Sequence, residues 1–196
     1  MPKVTWKPGT MLYPLPPVMV SCGTPAKPNI ITVAWTGITC TEPAMTYISL
    51  RPERFSYNII KTSGEFVINL TTEFLAWAAD FCGVKSGRDT DKFKIAHLTP
   101  ERASQLDCPM IAESPFSIEC RVENIMHLGT HDMFLSKIVA LNADERYLDS
   151  NGVLHLEKAG LVAVSHGRYF TLGREVGTFG YSVRKKKVCK GSKKRL

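Results

Sequence analysis

The segment S-L-R-P-E-R-F-S, Ser49 to Ser56, gathers two arginines and two serines around a proline within eight residues. Pro52 biases Arg51 toward extended backbone and ends a strand there, so a helix beginning near Arg54 would follow at once. Helix N-termini leave N–H groups unpaired and favour negative charge, and guanidinium forks match phosphate oxygens in bidentate fashion. Three or four charge-assisted bonds of about 1.5–3 kcal/mol each would hold a phosphate at micromolar strength or better. Taken alone, the same residues also describe a hydrated surface corner. Two other segments sharpen the choice. N-I-I-T-V-A-W-T (Asn29 to Thr36) sets Asn29, Thr32 and Trp35 near a common edge, and S-G-R-D-T-D-K-F sets Ser86, Asp89 and Lys92 on a glycine-containing loop.

The elements that must position these residues are mostly strands. P-V-M-V-S-C-G (Pro17 to Gly23) and Asn29 to Thr36 are β-branched runs joined by T-P-A-K-P, which reads as a hairpin with a five-residue turn. Thr46 to Arg51 is a third strand. R-F-S-Y-N-I-I-K-T-S-G reads as a short helix with Phe55, Ile59 and Ile60 facing inward and Gly64 capping its C-terminus. E-F-V-I-N-L is another strand, after which T-T-E occupies an N-cap position before a helix over F-L-A-W-A-A-D-F. In F-S-I-E-C-R-V-E-N-I-M-H-L, Ile118, Cys120 and Val122 alternate with Glu119, Arg121 and Glu123, the pattern of an antiparallel strand with one wet face. H-D-M-F-L-S-K-I-V-A-L-N-A pairs with it, and Leu161 to Ser165 and Arg168 to Leu172 are expected to close the sheet. The whole predicts a mainly β chain: an antiparallel barrel or sandwich with a few short flanking helices.

Bulk properties bound the function. The 196 residues, 44% apolar and 22% charged, suit one globular core and exclude disordered or fibrous classes. The first apolar stretch is broken by Pro14, Pro16 and Pro17, so neither a signal peptide nor a membrane span is expected. The six cysteines show no C-x-x-C or Cys/His spacing, which argues against a metal site and for reduced thiols in a cytoplasmic protein. The formal charge of +7 is local: residues 184–196 hold eight Lys and Arg, leaving 17 basic against 18 acidic residues in the body at 1–183. That near-neutral body, with no basic stripe interleaved with aromatics, makes nucleic acid an unlikely partner and leaves 184–196 as a basic tail.

Together the three segments, in this order and spacing, resemble the flavin reductase-like family of FMN-binding split barrels, most closely its flavoredoxin-type branch. The resemblance spans about Pro17 to Tyr181 and implies a Greek-key split barrel binding FMN. Carried over, it implies that Asn29, Thr32, Ala34 and Trp35 lie along the flavin and its ribityl chain. Ser49, Leu50, Arg51 and Ser56 would approach the phosphate end, and Ser86, Asp89 and Lys92 would complete the pocket. G-T-H-D-M-F-L-S-K-I is similar to the family's G-D-H-x-x-F-x-G-x-V, with Thr130 where Asp is common and Ser136 where Gly is common. His131 is kept, and the resemblance implies a catalytic position beside the flavin face. It further implies an oxidoreductase, with NADH or NADPH or a redox protein as donor, and a homodimer. The alternatives are a flavin-bound electron carrier without turnover and a basic-tailed nucleic-acid-binding β-barrel.

Overall fold

The computed structural model describes residues 1–184, so the basic block at 184–196 falls, after Arg184, outside the described residues, as does Cys189. One antiparallel sheet holds seven strands: β1 (Val18–Thr24), β2 (Lys27–Val33), β3 (Thr36–Thr41), β4 (Ala44–Leu50), β5 (Glu65–Leu70), β8 (Phe116–His127) and β9 (Asp132–Ala143). Their spatial order is β2-β1-β5-β8-β9-β4-β3. The two edge strands are therefore neighbours in the sequence, separated only by Ala34 and Trp35. A flat sheet would hold them six strands apart, so the sheet curls until its edges meet. Ser49 N–H donates to Trp35 O at 2.9 Å across that meeting point. The result is a barrel split at the Ala34–Trp35 corner.

Inside the curl lie Val20, Ile31, Ile48, Ile60, Phe66 and Phe134, all nearly or fully buried. A second core packs the outer face of β1 and β2 through Met19 and Ile30 against α2 (Ala76–Val84) and α3 (Lys92–Ile95), with Leu75, Ala79 and Phe93. Val18 to Cys22 is consequently buried on both faces and reads as an apolar run interrupted only by Ser21, whose hydroxyl donates to Pro109 O at 2.5 Å. Each such side chain contributes about 1.5–3 kcal/mol on leaving water.

α1 (Phe55–Ser63) plugs one end of the barrel and ends at Gly64, whose φ of 70° only glycine adopts cheaply and whose N–H returns to Ile60 O. Its inward face is Ser56, Tyr57 and Ile60; Phe55 points out, and Ile59 is only half-buried. The reason is polar: the Tyr57 hydroxyl donates to Asp132 Oδ2 at 2.5 Å, anchoring the helix to the start of β9.

Other expectations are corrected too. The first hairpin turns on Pro25 and Ala26 alone, since Lys27 and Pro28 already pair with Thr24 and Gly23. The run Asn29 to Thr36 is two strands, and β3, an exposed edge containing Gly37, carries too little apolar pattern to announce itself. The second helix starts two residues late and runs on through Cys82 into the expected loop. β10 (Val162–Ser165) and β11 (Arg168–Thr171) form a separate two-stranded ladder rather than closing the main sheet; β10 bridges Leu15 and bonds Thr71 just past β5. The short ladder β6 (Pro100–Arg102) with β7 (Pro109–Ile111) was not foreseen.

Glu119 departs furthest from its pattern. It was assigned to a wet face, yet it is 0% exposed. It keeps to the face opposite Ile118 and Cys120, but the loop around Ser104 to Leu106 covers that face, and its carboxylate accepts from Ser104 N and Oγ, Gln105 N, Leu106 N and Asn142 Nδ2. Burial pushes its pKa up, but the bonds from Ser104, Asn142 and the loop amides together hold it below the ordinary carboxylate value. Stability from this depressed group is present above its unfolded pKa and is lost as pH falls through the folded one. We expect Glu119→Ala, which strands three backbone N–H groups, to cost about 3 kcal/mol or more in urea unfolding and to shrink the acid-side loss of stability.

Candidate functional site

Because β2 is an edge strand, alternate backbone groups along it lie outside the ladder. Ile30 O is one, and it accepts from Lys92 Nζ at 2.7 Å. Thr32 and Ala34 share its parity, so their backbone groups face the same side. There α2 closes in: the Thr32 hydroxyl donates to Ala79 O, and Arg54 Nη2 to Gly83 O. What α2 does not cover is a cavity of about 270 Å³. Its walls are Thr32, Ala34 and Trp35 from β2 and the corner, Ser49, Leu50 and Arg51 from β4, with Gly83, Arg54 and His131.

A second cavity, about 220 Å³, adjoins the first, and Ile31 and Arg54 line both. It opens over the first turn of α1, whose N-cap residue Arg54 makes no side-chain cap bond. Ser56, Ser86, Arg88 and Lys92 converge there, with Glu53 its lone carboxylate among the described residues. Lys92 is 4% exposed and carries no carboxylate partner; its ammonium donates to Ile30 O and to Cys82 O at 2.8 Å. Burial draws its pKa down to about 8, and the nearby Arg54 guanidinium adds to the fall. The Cys82 and Cys22 thiols are themselves pushed up to about 11 by burial, so they stay neutral and supply no counter-charge.

Of the residues singled out from the sequence, seven share the first cavity: Thr32, Ala34, Trp35, Ser49, Leu50, Arg51 and His131. Ser56, Ser86 and Lys92 share the second. Asn29 and Asp89 line neither; both border a separate groove that Gly87 also lines. Asn29 is instead an internal tie. Its Nδ2 donates to Ser56 Oγ at 2.7 Å, leaving the serine's own proton free for another acceptor. Its Oδ1 lies so near Gly87 that a Cβ there would fall 1.9 Å away, so only glycine lets the loop close over it. Arg51 also differs from expectation: its guanidinium, more than half exposed, pairs with Glu53 at 3.3 Å on the surface. Arg54, read from the sequence only as part of the corner, is the arginine common to both cavities.

His131 leans on Trp35 with ring centroids 4.5 Å apart, and its Nδ1 lies 3.0 Å from Thr130 Oγ1. Burial lowers its pKa, with Arg51 adding to the effect, so the ring is neutral near pH 7. The adjacent Asp132 went unnoticed in the sequence. It is buried at the start of β9, accepts from Tyr57, and lies 3.0 Å from His127 Nδ1, fixing the turn that presents His131.

The arrangement can accept an elongated ligand with an anionic end and a flat, mostly apolar body edged by polar atoms. A phosphate fits the second cavity's donor set, and an aromatic ring fits the first, between the unpaired edge of β2 and the Trp35–His131 pair.

A sequence model of the Flavin reductase like domain matches residues 10–165. In three dimensions the chain is similar to flavoredoxin of Desulfovibrio vulgaris (Miyazaki F), with 28% identity and a TM-score of 0.85 over 93% of this chain and 100% of that one. Flavoredoxin from Methanosarcina acetivorans matches with the same TM-score at 23% identity, over 94% of this chain and 100% of the other, a likeness of fold. An uncharacterized protein of Archaeoglobus fulgidus is 27% identical over 160 residues, 82% of this chain and 89% of the relative.

The geometry makes Asn29 a residue that holds the site together. Asn29→Ala is expected to lower the unfolding free energy of the flavin-free protein by about 1–3 kcal/mol, because Ser56 and Gly87 lose their packed partner. Chemical denaturation checks it; a variant as stable as the parent would return Asn29 to the ligand's side.

Proposed function

The chain belongs to the flavin reductase-like family, and from that membership we propose that it is a flavin-dependent oxidoreductase holding FMN across the two adjoining cavities. The phosphate occupies the cavity at the α1 N-terminus and the ring lies along β2 beneath Trp35. The observation that carries this reading is the join itself: a cationic chamber at the start of α1 and a chamber walled by the open edge of β2, Trp35 and His131 share Ile31 and Arg54. Within it, Arg54, Lys92 and the first-turn N–H groups neutralise the phosphate, and the Ser56 proton is available to it. The outward backbone groups of Thr32 and Ala34 meet the polar rim of the ring. The flavin supplies hydride or single-electron transfer, which a side chain cannot. The electron donor in this proposal is NADH or NADPH, approaching beside His131, whose neutral imidazole adds no charge to the ring's surroundings. No helix among the described residues is long and apolar enough to cross a membrane. Five described cysteines are unpaired, as a reducing cytoplasm would leave them.

We extend the proposal to a homodimer. Phe74 and, on the outer face of α2, Trp77 and Val84 are well exposed, an apolar area that a second copy would cover. Light scattering that reports a monomer at micromolar concentration overturns this part.

FMN binding tests the core reading directly: the protein should retain yellow flavin on gel filtration and lose its colour anaerobically with NADH or NADPH. Retained colour without bleaching by either nucleotide would make it an electron carrier, and failure to bind FMN would end the flavin reading. Arg54→Ala should weaken FMN about tenfold or more, whereas Arg51→Ala, which frees an exposed pair, should matter less.

The Lys92 ammonium adds a pH test. It is protonated below about 8, and a bound phosphate raises that value, so the loss of affinity begins as pH passes the free-state figure. The FMN dissociation constant should therefore rise as pH climbs above about 8, while riboflavin, which lacks the phosphate, stays flat.

A further inference from the structure

Beyond the Trp35–Ser49 wall lies a third chamber of about 480 Å³, formed by different chemistry. Trp35 and Ser49 line both it and the ring cavity, so anything held in it sits directly against the ring cavity. Its floor is Tyr47 and Met133 from β4 and β9. Its roof is the N-terminal segment, through Met11 and Leu12, and Leu128 closes the side. No Asp, Glu, Lys, Arg or His lines it, in contrast with the ring cavity, which has two arginines and a histidine.

The roof belongs to the same chain and is fastened in place. Leu15 exchanges backbone hydrogen bonds with Val164 of β10 at 3.0 and 2.8 Å, and Tyr13 packs on His166 with ring centroids 4.7 Å apart. An apolar-lined chamber of this volume is of the size that takes small molecules. Two hydroxyls are available inside it. Beyond the strand ladders, Tyr47 enters the hydrogen-bond network only as a carbonyl accepting from Thr36, and Ser49 only as an N–H donating to Trp35. Their side-chain hydroxyls are thus free to meet a carbonyl oxygen. A charged group would find no counter-ion and would lose its hydration.

We propose that this chamber is the substrate subsite and that it binds an uncharged, flat ring compound bearing a carbonyl group, of the quinone class. Its role as a substrate subsite rests on the flavin reading; its choice of ligand rests on its own lining. Met11 and Leu12 are the specificity-determining residues, and since both are exposed on the N-terminal segment their substitution leaves the barrel intact.

Calorimetric titration of the full chain, with and without FMN, tests it using 1,4-naphthoquinone and its 2-sulfonate, the same ring with one negative charge. The uncharged probe is expected to bind at least about tenfold more tightly than the sulfonate. Met11→Ser with Leu12→Ser should weaken it by a similar factor while FMN titrates as in the parent. Leu128→Lys, on an exposed turn, should reverse the preference toward the sulfonate. Equal affinity for the two probes, or unchanged affinity in the double variant, overturns the proposal. So does absence of quinone binding, including the case where a dimer interface buries Met11 and Leu12 and a second copy fills the chamber. Quinone binding that persists where FMN fails to bind would leave the chamber's chemistry standing and remove the flavin reading alone.

Discussion

A single stretch of chain serves as both edges of the main sheet, and the site follows from that constraint. Because β2 passes through Ala34 and Trp35 into β3, the sheet has to curl, yet the corner prevents β2 from pairing with a strand on its outer side. An edge strand left open invites pairing with another chain. Here α2 covers part of it through Thr32 and Ala79, and Lys92 caps Ile30 O. The remainder is open backbone inside a cavity, where polar groups are rigidly placed before any ligand arrives. Ordering them costs nothing at binding, the general advantage of a preorganised site.

Electrostatics add a bias toward anions. A buried ammonium is normally matched by a carboxylate. Lys92 instead has two carbonyls, two neutral thiols and a nearby guanidinium, and its lowered pKa expresses the strain of that company. A dianionic group entering beside it relieves repulsion between Lys92 and Arg54 and supplies the missing counter-charge. The exposed Arg51–Glu53 pair is the opposite case: solvent screens it, so it contributes little either to stability or to the field in the cavity. The distinction between the two arginines is one of burial, three residues apart in sequence.

Much of this was legible in the sequence, and the failures have specific causes. Alternation and β-branching revealed β1, β2, β4, β5, β8 and β9, and Gly64 gave the end of α1, because local propensity and tertiary packing agree there. Glu119 broke the pattern since a carboxylate can be buried once five donors surround it, and those donors come from a loop and a strand that spacing does not bring together. Phe55 and Tyr57 exchanged roles for a similar reason: the Tyr57 hydroxyl finds Asp132, 75 residues away. The three segments singled out from the sequence do border the two cavities, but spacing did not indicate how their side chains divide between cavity and interior. Which of Arg51 and Arg54 turns inward depends on the C-terminal end of α2, and Asn29 was drawn away from the cavity by Gly87 and Ser56, contacts between segments that periodicity treats separately.

The C-terminal hairpin shows how a misassigned element can explain more than the expected one. Had β10 and β11 joined the main sheet, they would have covered an edge and closed the barrel. As a separate ladder, they hold the N-terminal segment through Leu15 and Val164, and they reach α2 through the Tyr169 hydroxyl and Asp80 at 3.4 Å. Without that clamp, residues 9–15 would have only scattered apolar contacts to order them, too few to offset the entropy of fixing seven residues at about 1–2 kcal/mol each. The hairpin therefore acts at a distance. It holds the N-terminal segment along one side of the chamber beside Trp35, while the corner supplies the wall and the barrel strands the floor.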